Sequence, residues 1–593
     1  MARLAIILLE GSPTRSQLRL GRILDFFGVP WETVEVSKLA DVESGAQGRQ
    51  VVFGSAQTVA AAVKQGQRAT HVLSQAAAFY VYAGDDRSAS SHALQSLFGD
   101  ADFSLREAPA GDLSIRVSPE LTDVAGPMAG LEVLSRLKQE DAVLVGGSAL
   151  GESRFETVIS AGGAPVFLRF QQNGVPVFFC ASSYMVDIDH TVGTGFYDVK
   201  QHFCSAVPLI MFLRFMFRET AWHPQELSAC LIVDDPLLKQ RYGHCDFVKL
   251  RALMRQYGFT TNIAFIPWNW RRTSAADAEF FRRQSEHFSV SIHGCDHIED
   301  EFGTTSFETL DGRAWLAQFR MENHERRTGI HHDGIMIFPQ GVFSSVCPEA
   351  LKRNGFLAAV NTEIMPVDGE CARTRFRDVW DVAIRSYGGG FPIFTRRYAF
   401  HGLENFAFDL LLGKPCLIVS HHEFFRDGCV EVIELMAKLR SLNCHLHWRS
   451  LGDVIRNACR RRVTRAGVEE AEMYGNELLI DNPSNQEIGL RVRKQEKDID
   501  LIDTVLSNGA PVPWKTEANH VVVTEELQPY SHKKLQVLYR RPANAVPRDS
   551  SIRSQASVTL RRMLCELRDD YLSRSRFLSS TAAGLKNLVN RPN

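Results

Sequence analysis

The sequence predicts a multidomain α/β protein: an N-terminal region built on a parallel sheet, a central β/α barrel and a C-terminal β-sandwich. Three observations predict this. The chain has 593 residues, more than one hydrophobic core holds. Short apolar runs alternate with amphipathic helical stretches as far as about residue 462, the pattern of parallel strands joined by helices. Beyond that point apolar residues fall at every second position, as in antiparallel strands with one wet face. The expected segments are 1–220, 223–462 and 463–548, followed by a basic helix over 549–593.

In the first segment the clearest strands are Leu4 to Leu9, Gln50 to Phe53, Ala142 to Val145 and Val177 to Cys180, with helices over Ser16 to Phe27 and Ser55 to Gln65. The opening apolar run of six residues, Leu4 to Leu9, is short for a secretory leader and reads as a buried strand. Ala206 to Phe217 contains Arg214 and is expected to be a core helix, so no membrane span is predicted. The second segment carries strands at Cys230 to Val233, Thr261 to Phe265, Val290 to His293, Gly334 to Phe338, Ala358 to Val360, Pro415 to Ser420 and Cys444 to His447. Helices fall between them, at Cys245 to Tyr257, Ala275 to His287 and Ala314 to Thr328. Such an order implies a closed or partly closed barrel whose chemistry gathers at the carboxyl ends of its strands. Period-two strands follow at Asn476 to Asp481, Gly489 to Arg493, His520 to Thr524 and Lys534 to Tyr539.

Composition narrows the function. A formal net charge of −2 offers no concentrated basic face, so nucleic acid is not an expected partner. Twelve scattered cysteines with no C-x-x-C pair fit reduced thiols in a cytoplasmic protein rather than a disulfide framework or zinc ribbon. No P-loop and no G-x-G-x-x-G spacing occurs in the first segment. Ser551 to Asn593 holds eight Lys and Arg against three acids, a composition suited to a docking helix or to peripheral contact with a membrane.

Three short segments carry the chemistry. Ala229 to Pro236 is an apolar run ending in Asp234 and Asp235, and a carboxylate pair at the end of a buried strand calls for a cation. His293 and His297 follow another apolar run at four-residue spacing, which places both imidazoles within reach of one ion. Pro415 to His422 ends a third apolar run in His421 and His422. One Asp and two His can hold a divalent ion while the second Asp stays free as a base.

The order strand-Asp-Asp-Pro, then H-x-x-x-H, then a strand ending in His resembles the polysaccharide deacetylases of the NodB-homology, carbohydrate esterase 4 type, over about 240 residues of the middle region. Leu446 to Val454 is similar to the closing strand and helix of that domain. The resemblance implies Asp235, His293 and His297 as ligands of Zn2+ or another divalent metal, with Asp234 as general base. It implies a catalytic acid at His421 or His422, with His421 favoured because it directly follows the strand. Ile337 to Gly341 keeps Pro339 and Gly341 of a third motif but lacks the Arg before the Pro, for which Arg385 is the candidate replacement. Trp380 is the candidate aromatic wall and Asp378 or Asp381 the candidate partner of the catalytic His. Trp268 and Trp270 are candidate sugar platforms. The first segment loosely resembles flavodoxin-like or class I amidotransferase-like modules, without a nucleophile elbow, and is expected to be an accessory. The implied activity is removal of an acetyl group from an N-acetylated sugar or glycan precursor in surface-polysaccharide biosynthesis. The alternatives are an inactive glycan-binding scaffold and an amidohydrolase acting on a non-sugar C–N bond.

Overall fold

The computed structural model describes residues 3–41, 50–98, 103–146, 155–193, 195–369, 374–540 and 552–572. Its first sheet has nine strands. Trp31–Glu35, Ala5–Leu9, Val51–Ser55, Ala78–Tyr82 and Val175–Cys180 lie parallel in that order, and Ala164–Gln172, Phe155–Ala161, Asp112–Val117 and Glu132–Arg136 continue it antiparallel. Ala5–Leu9 and Ala78–Tyr82 are buried on both faces, which is why they read as unbroken apolar runs. The expectation of a wholly parallel sheet needs correction here. Gly162-Gly163 and Asn173-Gly174 sit at positive φ in two-residue turns, a geometry that folds strands back on themselves. Ala142–Val145 also lies elsewhere, paired with Ser104–Glu107 in a separate ribbon.

The helix Phe203–Phe217 runs through the core, with almost every side chain buried. Arg214 survives there because its guanidinium donates to three carbonyl oxygens, those of Leu411, Leu412 and Trp222. The first two carbonyls end the helix Leu403–Leu412 that leads into the barrel strand Cys416–Ser420, so one arginine ties the core helix to the barrel.

That barrel is a nearly closed, parallel, eight-strand sheet in the order Ile393–Thr395, Ala358–Asn361, Ile335–Ile337, Phe288–His293, Thr261–Phe265, Ser228–Asp234, Cys416–Ser420, Arg397–Tyr398. Its two edge strands are separated in sequence by Arg396 alone, so the sheet curls until its edges meet at that residue. The edge strands are short, with Arg396 between them and Arg397 in the second, and they gave no apolar run. Past Cys444 the expected strand shrinks to His447–Trp448, paired with Ser228 and Ala229. Helices Phe247–Tyr257, Ala275–Arg283 and Phe307–Thr328 cover the outside, capped by Asp246, Ser274 and Ser306.

Two further sheets, of six and four strands, share the apolar core of Leu478, Leu490, Val505, Val521 and Val537. They draw in His223–Pro224 and Cys459–Val463, and Glu469–Met473 pairs parallel with the Ile488–Gln495 strand, so the pairing is mixed. The chain then reaches the terminal helix Ile552–Leu567, which lies on the barrel. Among the described residues no helix is long and apolar enough to cross a membrane.

Arg214→Met removes the donor from three inward carbonyls. It is expected to lower stability by about 3 kcal/mol, read as a lower urea midpoint with both flanking regions unfolding earlier.

Candidate functional site

Ser228–Asp234 is buried along its whole length, and it delivers Asp234 to the carboxyl end of the barrel. A carboxylate here must be paired. Arg396, at the seam, meets it in a two-pronged contact, Nη1 to Oδ1 and Nη2 to Oδ2, both 2.7 Å. Burial pushes the Asp234 carboxyl up, but the Arg396 guanidinium and His293 outweigh it and hold it below the usual carboxylate range.

Side chains alternate sides along a strand, so a straight continuation would send Asp235 away from its neighbour. Instead Asp235 has φ +79°, a left-handed turn that costs a non-glycine residue about 1–3 kcal/mol. The turn carries its Oδ1 to 3.4 Å from His293 Nε2 and 3.0 Å from His297 Nε2.

His293 ends its strand. Its Nδ1 lies 3.0 Å from the carbonyl oxygen of Ile337, which can only accept, so Nδ1 carries the proton and Nε2 is left as a ligand atom. His297 sits in the loop beyond, also left-handed, at φ +57°. Glu301 shapes that loop: its carboxylate accepts the backbone N–H groups of Cys295 (3.0 Å), Asp296 (2.6 Å) and His297 (3.1 Å). Gly294, at φ +64°, presses so close to Pro339 and Glu301 that a Cβ would lie 2.5 and 2.4 Å from them. The glycine after His293 is therefore required by packing.

The ligand atoms of Asp235, His293 and His297 all lie within 4.8 Å of one another. Asp235 Oδ1 is buried and makes no hydrogen bond, although a lone-pair nitrogen stands opposite it. Two facing acceptors repel unless a proton or a metal ion lies between them. Burial pushes the His293 imidazole down, but Asp234 and Asp235 outweigh it and raise it, and in place of that proton the donor set fits a divalent ion. A second group, Cys295, Asp296 and Glu301, is equally close but differently employed. Glu301 is taken up by backbone N–H groups, Arg320 holds Asp296, and burial pushes the Cys295 thiol well up, which disfavours a thiolate ligand.

The two adjacent histidines part company. His421 is partly exposed, with Nδ1 3.9 Å from Asp235 Oδ2 and its ring 6.2 Å from that of Tyr398. His422 turns inward to the terminal helix, where its Nε2 lies 3.4 Å from Asp569 Oδ1. The Tyr242 hydroxyl donates to Asp569 Oδ2 at 2.7 Å, and the Gly243 N–H donates to Asp570 at 2.7 Å. Burial raises the Asp569 carboxyl, but His422, Arg568 and Tyr242 bring it down to about 2.

Other expected site residues lie elsewhere. Arg385 is bound to Asp381 (3.0 Å) and Glu472 (2.7 Å) over the ring of Tyr474, and the guanidinium on Asp234 is that of Arg396. Trp380 is fully buried against Phe26, Tyr197 and Phe408, so it offers no wall to a ligand. Asp378 accepts the backbone N–H of Arg375, and Asp381 is held by Arg385, Arg460 and Tyr474; neither is paired with His421 or His422. Trp268 stays beside the histidine loop, its backbone N–H donating to the Cys295 carbonyl and the Arg320 guanidinium over its ring, while Trp270 stacks on Arg271. Pro339 packs on Gly294, and the Gly341 carbonyl accepts from Asn361, so both shape the wall next to His293. Arg396, Glu301 and Asp569 were not singled out individually in the sequence; for Arg396 the one signal is a pair of arginines between two apolar stretches.

No family model and no curated protein matches the chain. Among solved structures it is similar to one described as a polysaccharide deacetylase from Mycobacterium smegmatis, at 12% identity and a TM-score of 0.28, covering 39% of this chain and 90% of that one. It is also similar to the chitin deacetylase of Colletotrichum lindemuthianum, at 13% identity and 0.26, covering 39% and 89%. A third, described as a GMP synthase protein from Thermoplasma acidophilum, has 12% identity and 0.23, covering 36% and 93%. TM-scores of this size carry no argument about function, which rests on the side chains themselves.

Glu301→Ala leaves three backbone N–H groups without their acceptor and frees the loop that carries His297. Zinc affinity is expected to fall about 10–100-fold, measured by competition with a chromogenic chelator, with His293 and Asp235 unchanged.

Proposed function

We propose that this chain is a metal-dependent hydrolase that removes the acetyl group from an N-acetylated saccharide, the reaction class of the NodB-type polysaccharide deacetylases its motifs resemble. The observation that carries the reading is the unsatisfied Asp235 oxygen facing two imidazole Nε2 atoms, next to a second carboxylate that is paired and ionised. A divalent ion bound by Asp235, His293 and His297 would supply Lewis acidity, activating water and polarising a carbonyl.

The chain's own groups then divide the proton work. Asp234 accepts a proton as water adds to the amide carbon, and Arg396 keeps it ionised for that task while fixing its direction. His421, partly exposed on the other side of Asp235, is placed to give a proton to the departing nitrogen as the C–N bond breaks, leaving acetate and an amine. Tyr398 and Phe400 stack 4.9 Å apart, nearly parallel, and Phe400 is 79% exposed. An aromatic ledge beside the proton donor suits the apolar face of a sugar ring. A glycan precursor of surface-polysaccharide assembly is the substrate class this reading favours.

The test is acetate release from N-acetylhexosamine oligomers by the zinc-loaded protein. Asp234→Asn is expected to lower kcat by about 10²–10⁴-fold while keeping the metal, and Asp235→Ala to lose metal and activity together. Metal-loaded protein that releases no acetate from any such saccharide overturns the substrate assignment; Asp234→Asn with full activity overturns the role of that residue.

A further inference from the structure

The terminal helix Ile552–Leu567 has two faces of opposite character. Its inner face is bound to the barrel by polar contacts: Arg562 Nη2 lies 3.4 Å from His297 Nδ1, Glu566 pairs with Lys239 and Arg272, and Asp569 meets Tyr242 and His422. Its outer face carries Leu560, Met563, Leu564 and Leu567, at i, i+3, i+4 and i+7, each between 52 and 61% exposed. Four large apolar side chains on one stripe are more than scattered surface residues, and their spacing marks one continuous helical face.

We infer that this outer stripe seats on an anionic lipid bilayer and holds the mouth of the candidate site against it. Charge decides between lipid and protein as the occupant. All three acids from residue 552 onward, Glu566, Asp569 and Asp570, are turned to the barrel, and the exposed Arg568 shares Asp569 with it. After Asp570 the sequence contains Arg574, Arg576, Lys586 and Arg591 and no acid. An apolar stripe on a helix whose acids all face inward, in a stretch of sequence that goes on with four basic residues and no acid, has the composition of an interfacial helix on anionic lipid. Since a helix is about 10 Å across, a bilayer on the outer face lies about that far from His297 and His422 on the inner one. The inference stands on the helix and its charges, independently of the reaction assigned to the site.

The full-length protein is sedimented with vesicles of phosphatidylcholine alone and of phosphatidylcholine mixed with phosphatidylglycerol. It is expected to partition onto the mixed vesicles and to be partly released by high salt, because screening removes the share of the arginines. Leu560→Glu with Leu564→Glu is expected to weaken partitioning at least about tenfold with an unchanged melting temperature, whereas Leu134→Glu, exposed on a distant strand, leaves it intact. Should the double variant unfold, Leu567→Gln alone is expected to weaken partitioning in the same direction. Wild-type protein that stays in the supernatant with both vesicle types overturns the inference. So does a concentration-dependent dimer, seen by sedimentation velocity without vesicle binding and dissolved by the double variant, which would assign the stripe to a second copy of the chain.

Discussion

The contact between Asp234 and Arg396 is the constraint around which the rest of the barrel is arranged. Both groups are almost wholly removed from water, and each would be costly to bury alone. Their pairing is possible only where the sheet has curled far enough for its two edges to meet, because Arg396 lies at the seam between Ile393–Thr395 and Arg397–Tyr398. Barrel closure and the ionised state of Asp234 are thus one event seen from two sides. An open sheet would leave a bare carboxylate at the end of a fully apolar strand.

Backbone strain falls on two of the three candidate ligands. Asp235 and His297 both adopt left-handed backbone conformations that ordinary side chains avoid, and each is fixed from outside. Asp235 is held by the buried strand before it, His297 by the three hydrogen bonds of Glu301. What converges is three ligand atoms, of which Asp235 Oδ1 and the proton-free His293 Nε2 face one another as acceptors, a repulsive arrangement that calls for a proton or a metal ion between them. Binding energy of a metal would therefore be realised partly as relief of that repulsion.

The terminal helix joins this arrangement from a distant part of the sequence. Through Asp569 it holds His422 and leaves His421 facing Asp235, which separates the surroundings of two adjacent histidines. A docking element that touches His297 and His422 on one side and presents leucines and a methionine on the other links the site to whatever covers that outer face.

Much of this was legible in the residues. Apolar runs located Ser228–Asp234, Thr261–Phe265, Phe288–His293 and Cys416–Ser420, because strands buried on both faces must be continuously hydrophobic. The spacing of His293 and His297 and the adjacency of Asp234 and Asp235 pointed to a metal centre, since ligands close in sequence need only a local turn to converge. The partner of Asp234 was not legible: Arg396 lies 162 positions away and Arg385 was the nearer guess, yet Arg385 is spent on Asp381 and Glu472. Nor could the residues alone decide between His421 and His422, or show Trp380 sealed in a core. The chain by itself determined which segments had to be buried and which side chains could share an ion, for these follow from local periodicity and short spacing. Which arginine neutralises Asp234, which histidine lies beside Asp235 and where the sheet closes were decided only by tertiary structure, because each depends on pairing groups brought together by closure of the whole barrel.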